Sequence, residues 1–573
     1  MEIGGPMYFR TAQARLWELF GVLRLNHHEI QNFSSANNID CKLSDFGFKL
    51  IDSFNDSYVT WVYFGLNDRS RHRILRLQTK TSLNPLRDSG ATRSSRRNMS
   101  TAVLGGGLSG LSAGYYLLRR FGKPLTIYEA SPRVGGWVRS ENRKDRNFIF
   151  ESGPRTIRPV GEPGANTLEL VEELKLEVTP IRRSHVAARN RMLYAKGQLC
   201  MLPNSPKGLF GVLPPFTKPL YKALLQDLFT ASKKAKLEDE SIYSFAERRF
   251  GKEIADYAIS PMICGICAGD AREISVRFLM EGLFEKEQKY GGVLKGTLIS
   301  RFEKNKTKDT KDGLFAEGQP KLYAQAVKEK WAMYGLQGGL ENLPKTMRKY
   351  LGERDVNVQL SNECRNLTFS SSGVRMNIKD AEVPVEHVVS SLPAYKLAPL
   401  VKQQHPSLSA QLLSIPYVDV LVVNMQFPGK LLKQDGFGLL VPPVEKLPLL
   451  GVIFDSCCFD MGENTVLTVM MGGHWFDQWF GDRPSPKQIL DLATSHVQKM
   501  LQIREEPKFS RVHTLHKCIP QYTVGHKRRV EAIRNYIKTY KLPLSVCGAA
   551  YDGVGINDVI LSARRQVEAI PLS

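Results

Sequence analysis

Long apolar runs are missing from this chain of 573 residues, and with no stretch of eighteen or more apolar residues no membrane-spanning helix is expected. Cysteine is sparse: nine residues without regular spacing argue against a disulfide framework and for reduced thiols. Only Cys264-Gly-Ile-Cys267 and the adjacent Cys457 and Cys458 stand close together. A single CxxC lacks the second ligand pair of a structural zinc site, so no metal is expected. Acids are in deficit, 57 Asp and Glu against 79 Lys and Arg, which leaves a formal net charge of +22. That charge favours an anionic partner such as nucleic acid, an acidic lipid surface or an acidic substrate, and no nucleic-acid motif accompanies it. The apolar share of 42% is that of a globular protein, and the length allows roughly three structural units.

What is present begins at residue 102. Ala102-Val-Leu-Gly105-Gly106-Gly107-Leu108-Ser109-Gly110 is a short apolar strand running into a glycine-rich turn and then a helix, the pattern of a dinucleotide diphosphate cradle. Gly105 permits the tight turn, Gly107 lets backbone approach the diphosphate, and Gly110 lets helix and strand pack closely. The phosphates would sit at the positive end of the helix dipole. On spacing alone, a glycine turn kept for packing reads the same way. A second β-like run, Leu125-Thr-Ile-Tyr-Glu129, ends on an acid nineteen residues past Gly110, placed to accept hydrogen bonds from ribose hydroxyls. No second glycine-rich motif for a nicotinamide cofactor is apparent, which favours an oxidase over a pyridine-nucleotide reductase.

Directly after that acid come Arg133-Val-Gly135-Gly136-Trp137 and then Phe150-Glu151-Ser-Gly153-Pro154-Arg155-Thr156. Near the far end stands Leu544-Ser-Val-Cys547-Gly548, followed by Val554-Gly555-Ile556. Together they resemble the FAD-binding oxidases and desaturases of the glutathione-reductase type, in which a closing strand, glycine turn and helix complete the nucleotide site. Further stretches narrow the resemblance: Asn190-Arg191-Met-Leu-Tyr194, Leu336-Gln-Gly338-Gly339, Gly436-Phe437-Gly438-Leu-Leu440, Val469-Met470-Met-Gly472 and Ile519-Pro-Gln-Tyr522-Thr-Val-Gly-His526. From Met99 to the end, the chain is similar to the protoporphyrinogen oxidase family of the animal mitochondrial type.

The resemblance implies an α/β FAD-binding Rossmann-like domain in three parts (99–185, 335–394, 511–573), an α+β substrate domain in three parts (186–204, 306–334, 395–510) and a small helical membrane-binding domain (205–305). It implies non-covalent FAD, held by residues 105–110, Glu129, Arg133, Gly136, Trp137, residues 153–156, Glu363, Gly548 and residues 554–556. The implied substrates are protoporphyrinogen IX and oxygen. Arg191 would take a propionate, Gly265 and Ala268 would leave room along the cavity, and Phe437, Leu440 and Met470 would sandwich the macrocycle. No side chain is expected to act as acid or base. A homodimer at the mitochondrial inner membrane, facing the intermembrane space and in contact with ferrochelatase, is implied in the same way. A related flavin amine oxidase and a non-catalytic FAD-containing tetrapyrrole carrier are the alternatives.

Two regions read less clearly. Leu220, Tyr221, Leu224, Leu225, Leu228 and Phe229 fall on one helical face, flanked by Lys218, Lys222, Lys233 and Lys234. That pattern suits a helix in a membrane interface and equally one packed on the protein's own core; the resemblance implies the former. Residues 1–98 precede the resemblance. Between Arg69 and Arg97 nine basic residues face one acid, Asp88, as in an organelle import segment. An upstream extension that never folds fits as well.

Overall fold

A computed structural model of the chain describes residues 100–122, 125–230, 237–306 and 318–571, together with two short strands, Phe48–Lys49 and Val62–Tyr63. Those two pair antiparallel within a unit, Gly21–Arg97, distinct from the one that carries everything from Asn98 on. The expected import or unfolded segment and Lys233 and Lys234 otherwise lie outside the described residues.

The strand Thr101–Leu104 is buried along its whole length, as a strand covered on both faces of a parallel sheet must be. It is the middle of five parallel strands, in the order Asn357–Gln359, Leu125–Tyr128, Thr101–Leu104, His387–Ser390, Leu544–Val546. In register, Gln359, Tyr128, Leu104, Ser390 and Val546 end the five strands on one line. The residues that follow, Gly105, Glu129, Ser391 and Cys547, therefore share one edge, the carboxyl edge at which open α/β sheets bind ligands. An antiparallel meander, Cys364–Ser370, Gly373–Ile378 and Ala381–Val385, is inserted between the third and fourth strands to be made.

Parallel strands need long crossovers, and two of them together build a second sheet of seven strands. Its order is Phe509–Pro520, Tyr417–Pro428, Asn464–Gly473, Leu449–Phe454, Gly438–Leu440, Met192–Ala195, Gln198–Met201, antiparallel except for the Gly438–Leu440 and Met192–Ala195 pair. Period-two alternation divides its faces. Leu421, Val423, Met425 and Phe427 pack with Ile489, Ala493 and Val497 of the helix Pro486–Leu501. On the opposite face, Val420 and Val422 pack with Cys264, Ala268 and Met470.

Covering that second face is a set of helices that includes Leu220–Phe229, Ile242–Phe250, Ser260–Cys267 and Glu281–Tyr290. A π turn, Ala255–Ile259, leads into Ser260–Cys267. Ile242, Phe245, Ile263, Cys267 and Phe284 form their shared core. Asp227 and Arg249, both with fully buried side chains, pair at 2.6 Å, and Arg249 also donates to the carbonyls of Asp227, Thr230 and Gly291. The apolar face expected for Leu220–Phe229 is divided: Leu220 and Leu224 are buried, whereas Leu225, Leu228 and Phe229 are exposed, Phe229 at 80%. Among the described residues, no helix is long and apolar enough to cross a membrane.

Candidate active site

At the carboxyl edge of the parallel sheet the glycines sort by what constrains them. Gly105 has φ +101°, and a Cβ on Gly110 would lie 1.8 Å from the Gly105 carbonyl oxygen. Those two are dictated by the chain's own packing. Gly136, at φ +57°, is fixed by its own backbone conformation, and Gly107 by neither constraint. A Cβ on Gly107 would meet only the Gly136 Cα, at 3.9 Å, and one on Gly136 only the Gly107 Cα, at 3.4 Å. The two glycines pack backbone to backbone, and a Cβ on Gly107 would meet nothing else within 4 Å, which leaves the room a diphosphate cradle requires. The helix Leu108–Phe121 has no side-chain cap and no acid in its first turn, so its leading N–H groups can receive an anion. The residues present fit the diphosphate of FAD.

Glu129 stands at the end of its strand. Its carboxylate accepts from the Gly106 N–H at 2.6 Å and the Ser131 N–H at 2.8 Å, which fixes it beside the cradle. Arg133 holds the following loop by donating to the carbonyls of Val134, Gly136 and Val138. Trp137 is 43% exposed on that loop, and a Cβ on Gly153 would lie 2.2 Å from the Trp137 carbonyl oxygen, so loop and turn touch through backbone. Gly548 has φ +104°, and a Cβ on it would lie 2.9 Å from Ser109 Oγ, so the turn after the last strand packs closely on the first helix. Val554, Gly555 and Ile556 lead into the helix Ile556–Glu568, whose first turn already holds a carboxylate: Asp558 accepts from the Gly555 N–H at 3.2 Å. The two helix N-termini at this edge thus differ, and only that of Leu108–Phe121 is open to a phosphate. Pro154 and Thr156 follow in the turn after Gly153, Leu108 opens the first helix, and Glu363 is exposed just before the meander.

Arg155 turns inward. Its Nε lies 2.9 Å from Asp455 Oδ1, with both side chains about 95% buried. Nearby, Glu151 accepts from the Leu340 N–H at 2.8 Å and Ser140 Oγ at 2.7 Å, yet burial still pushes its carboxyl up to about 7.

The six residues assigned to the macrocycle gather on and around the second sheet. The Arg191 guanidinium lies over the Phe437 ring, 5.3 Å from its centroid. Backbone fixes the pair, since the Phe437 N–H donates to the Asn190 carbonyl at 3.1 Å. Farther along, Leu440 is in register with Gly451, and Gly451 with Met470, so the two side chains flank a glycine on adjacent strands. Gly265 abuts Leu440: a Cβ there would come within 2.9 Å of Leu440 Cδ2. Ala268 ends the helix Ser260–Cys267 in the left-handed region, φ +52°, and accepts from the His474 N–H at 2.8 Å. Cys264 and Cys267 are buried within this wall, and desolvation raises the Cys264 thiol well above its ordinary range. Among the described residues no group of metal-ligating side chains occurs.

Residues 108–571 match the family of flavin containing amine oxidoreductases. Over 478 residues the chain is 38% identical to protoporphyrinogen oxidase of Homo sapiens, covering 82% of this chain and 97% of that protein. The chain is a protoporphyrinogen oxidase family member. The Schizosaccharomyces pombe protoporphyrinogen oxidase is 30% identical, covering 81% of this chain and 97% of that protein. A crystal structure from Exiguobacterium sp. 255-15 has the same fold at 20% identity, with a TM-score of 0.66 over 82% of this chain and 98% of that one. Membership makes the chain an FAD-dependent oxidoreductase.

Three contributors to the site escaped the sequence reading. Ser391 donates to the Leu104 carbonyl at 2.9 Å and packs against Gly105, while Gly451 separates Leu440 from Met470, and Asp455 anchors Arg155. Each is placed by pairing with a segment remote in sequence. For Gly451 a glycine inside an apolar strand was the one available signal.

Proposed function

We propose that the protein oxidises protoporphyrinogen IX to protoporphyrin IX, removing six electrons in three two-electron steps, with oxygen reduced to hydrogen peroxide in each. The observation that carries this reading is one cation stacked on one aromatic ring, Arg191 on Phe437, beside the apolar pair Leu440 and Met470. A flat apolar macrocycle with carboxylates along one edge needs such a combination. FAD supplies the hydride acceptor that oxygen then regenerates.

The chain's own part is binding, orientation and exclusion of water. Residues 105–110 and Gly136 cradle the diphosphate, and Glu129 receives the ribose hydroxyls. Arg191 forks onto a propionate, staying charged when covered. Leu440, Met470 and Phe437 pack on the pyrrole faces, and the missing side chain of Gly265 and the small one of Ala268 leave depth for them. None of these six can move a proton at neutral pH, in keeping with a reaction that asks no acid or base of the protein. An amine oxidase would frame its substrate with several aromatic rings, and Phe437 is one of six. A carrier would need no acceptor for hydride.

The helices within 205–305 are proposed to rest on a membrane surface. Val212, Leu225, Leu228 and Phe229 are exposed there beside Lys218 and Lys222. A place at the mitochondrial inner membrane on the intermembrane-space side, a homodimer and contact with ferrochelatase belong to the same proposal and rest on the family resemblance.

The test is the absorbance of the purified, flavin-loaded chain mixed anaerobically with protoporphyrinogen IX and then exposed to oxygen. Bleaching followed by recovery, with porphyrin fluorescence and peroxide, is expected. A flavin that remains oxidised on mixing overturns the proposal.

A further inference from the structure

Between the flavin edge and the substrate sheet runs a buried polar chain that the reaction itself does not employ. Arg155 Nε meets Asp455 Oδ1 at 2.9 Å, and its guanidinium also faces the carbonyls of Glu151 and Gly153 at 3.5 Å. The other oxygen of Asp455 accepts from Thr468 Oγ1 at 2.6 Å. Asn424, the register partner of Thr468, donates to Thr468 Oγ1 at 2.8 Å and to the Glu151 carbonyl at 3.0 Å. From Asp455 the path continues through backbone. The Phe454 N–H donates to the Phe437 carbonyl at 3.0 Å, and the Phe437 N–H to that of Asn190, next to Arg191.

Burying such a pair is weak support for stability, because the desolvation of two charges offsets most of their attraction. What it does supply is a fixed geometry. One path of ion pair, chain and hydrogen bond joins the turn at 153–155, assigned to the flavin, to Phe437, assigned to the macrocycle. Resting on the function proposed above, we infer that Asp455 is a positioning residue: its ion pair with Arg155 sets the flavin-binding turn at a fixed place against the macrocycle-binding wall. Misplacement of reacting atoms by about 1 Å lowers a rate by roughly a hundredfold, so this coupling acts on turnover more than on substrate affinity.

The experiment compares wild-type, Asp455→Asn, Asp455→Glu and the double variant Arg155→Met/Asp455→Leu, each as the full flavin-loaded chain. Three quantities are read: flavin content, flavin midpoint potential by anaerobic dye-coupled reduction, and the anaerobic bleaching rate at saturating protoporphyrinogen IX. Asp455→Asn keeps the shape but leaves Arg155 unbalanced. A raised midpoint potential is expected, because the unneutralised cation favours the added electrons. The bleaching rate is expected to fall about tenfold to a hundredfold with the Michaelis constant changed less than about twofold, and Asp455→Glu should recover part of it. The double variant leaves no charge unpaired, and its rate per bound flavin should stay low. Wild-type potential and wild-type bleaching in Asp455→Asn overturn the assignment. So does a double variant that is fast per bound flavin, since the pair would then serve folding alone. The potential needs no porphyrinogen. If wild-type is not bleached by the macrocycle, the proposed function fails, and the potential of Asp455→Asn still decides whether this pair acts on the flavin.

Discussion

Glu151 makes stability depend on pH in a direction opposite to that of an ordinary paired carboxylate. Burial raises its folded pKa from 4.5 to about 7, with the hydrogen bonds from Leu340 and Ser140 offsetting only part of the desolvation. Between those two values the native state keeps a proton that the unfolded chain releases. Stability from this group is therefore fully present below about pH 4.5 and is lost as pH rises through about 7. A difference of about 2.5 units corresponds to about 3 kcal/mol. Glu151→Gln removes the titration while keeping the shape, its carbonyl oxygen accepting from the Leu340 N–H and its amide donating to Ser140 Oγ. Denaturant midpoints of the flavin-loaded chain, followed by tryptophan fluorescence at pH 5, 6, 7 and 8, should show the variant gaining on wild-type. The gap should widen from about 1 to about 3 kcal/mol across that range. A gap independent of pH, or one that narrows as pH rises, refutes the reasoning.

Other outcomes follow from the same geometry. Gly110→Ala puts a methyl group 1.8 Å from the Gly105 carbonyl oxygen, so the purified variant should lose most of its FAD absorbance. Arg191→Ala should leave FAD content unchanged and raise the Michaelis constant for protoporphyrinogen IX roughly tenfold to a hundredfold, the range for a lost charge-assisted bond; an unchanged constant removes the propionate role. Asp227→Leu leaves the buried Arg249 with Glu287 alone, at 3.9 Å, and frees the Val293 and Leu294 N–H groups that Asp227 caps, so it should cost about 3 to 5 kcal/mol in a denaturant titration, whereas Asp227→Asn, which keeps an acceptor oxygen there, should cost less; equal losses refute this. Phe229→Asp with Leu228→Asp should weaken sedimentation with anionic vesicles, and unaltered partition removes these residues from any membrane contact.

The nucleotide edge was legible because its information is local. Gly105, Gly107 and Gly110 lie within six residues, and a turn, an open cradle and a helix start dictate each of them. Arg191, Phe437, Leu440 and Met470 carry no such signature. An arginine beside Arg189 reads as surface, and Leu and Met in strands read as core, so only family resemblance singled them out. Gly451, Ser391 and Asp455 were invisible because their roles arise from register and from partners hundreds of residues away. For Leu220–Phe229 a wide apolar stripe gave the helix but not its rotation. Leu220 and Leu224 turn inward with Asp227, whose buried partner Arg249 no periodicity announces.

The order of strands in the parallel sheet has a consequence for biosynthesis. The middle strand, Thr101–Leu104, gains its neighbour Leu125–Tyr128 early, but its other flank stays bare until His387–Ser390 has been made, and that strand in turn waits for Leu544–Val546. A nascent chain therefore carries an unpaired apolar edge through most of its elongation, a site for wrong pairing that chaperones would have to shield. The diphosphate cradle is local and early, but the Ser109 and Gly548 contact closes only when the last strand arrives. Flavin capture is thus coupled to completion of the sheet, and free FAD should rescue yield only when supplied while that final strand is docking.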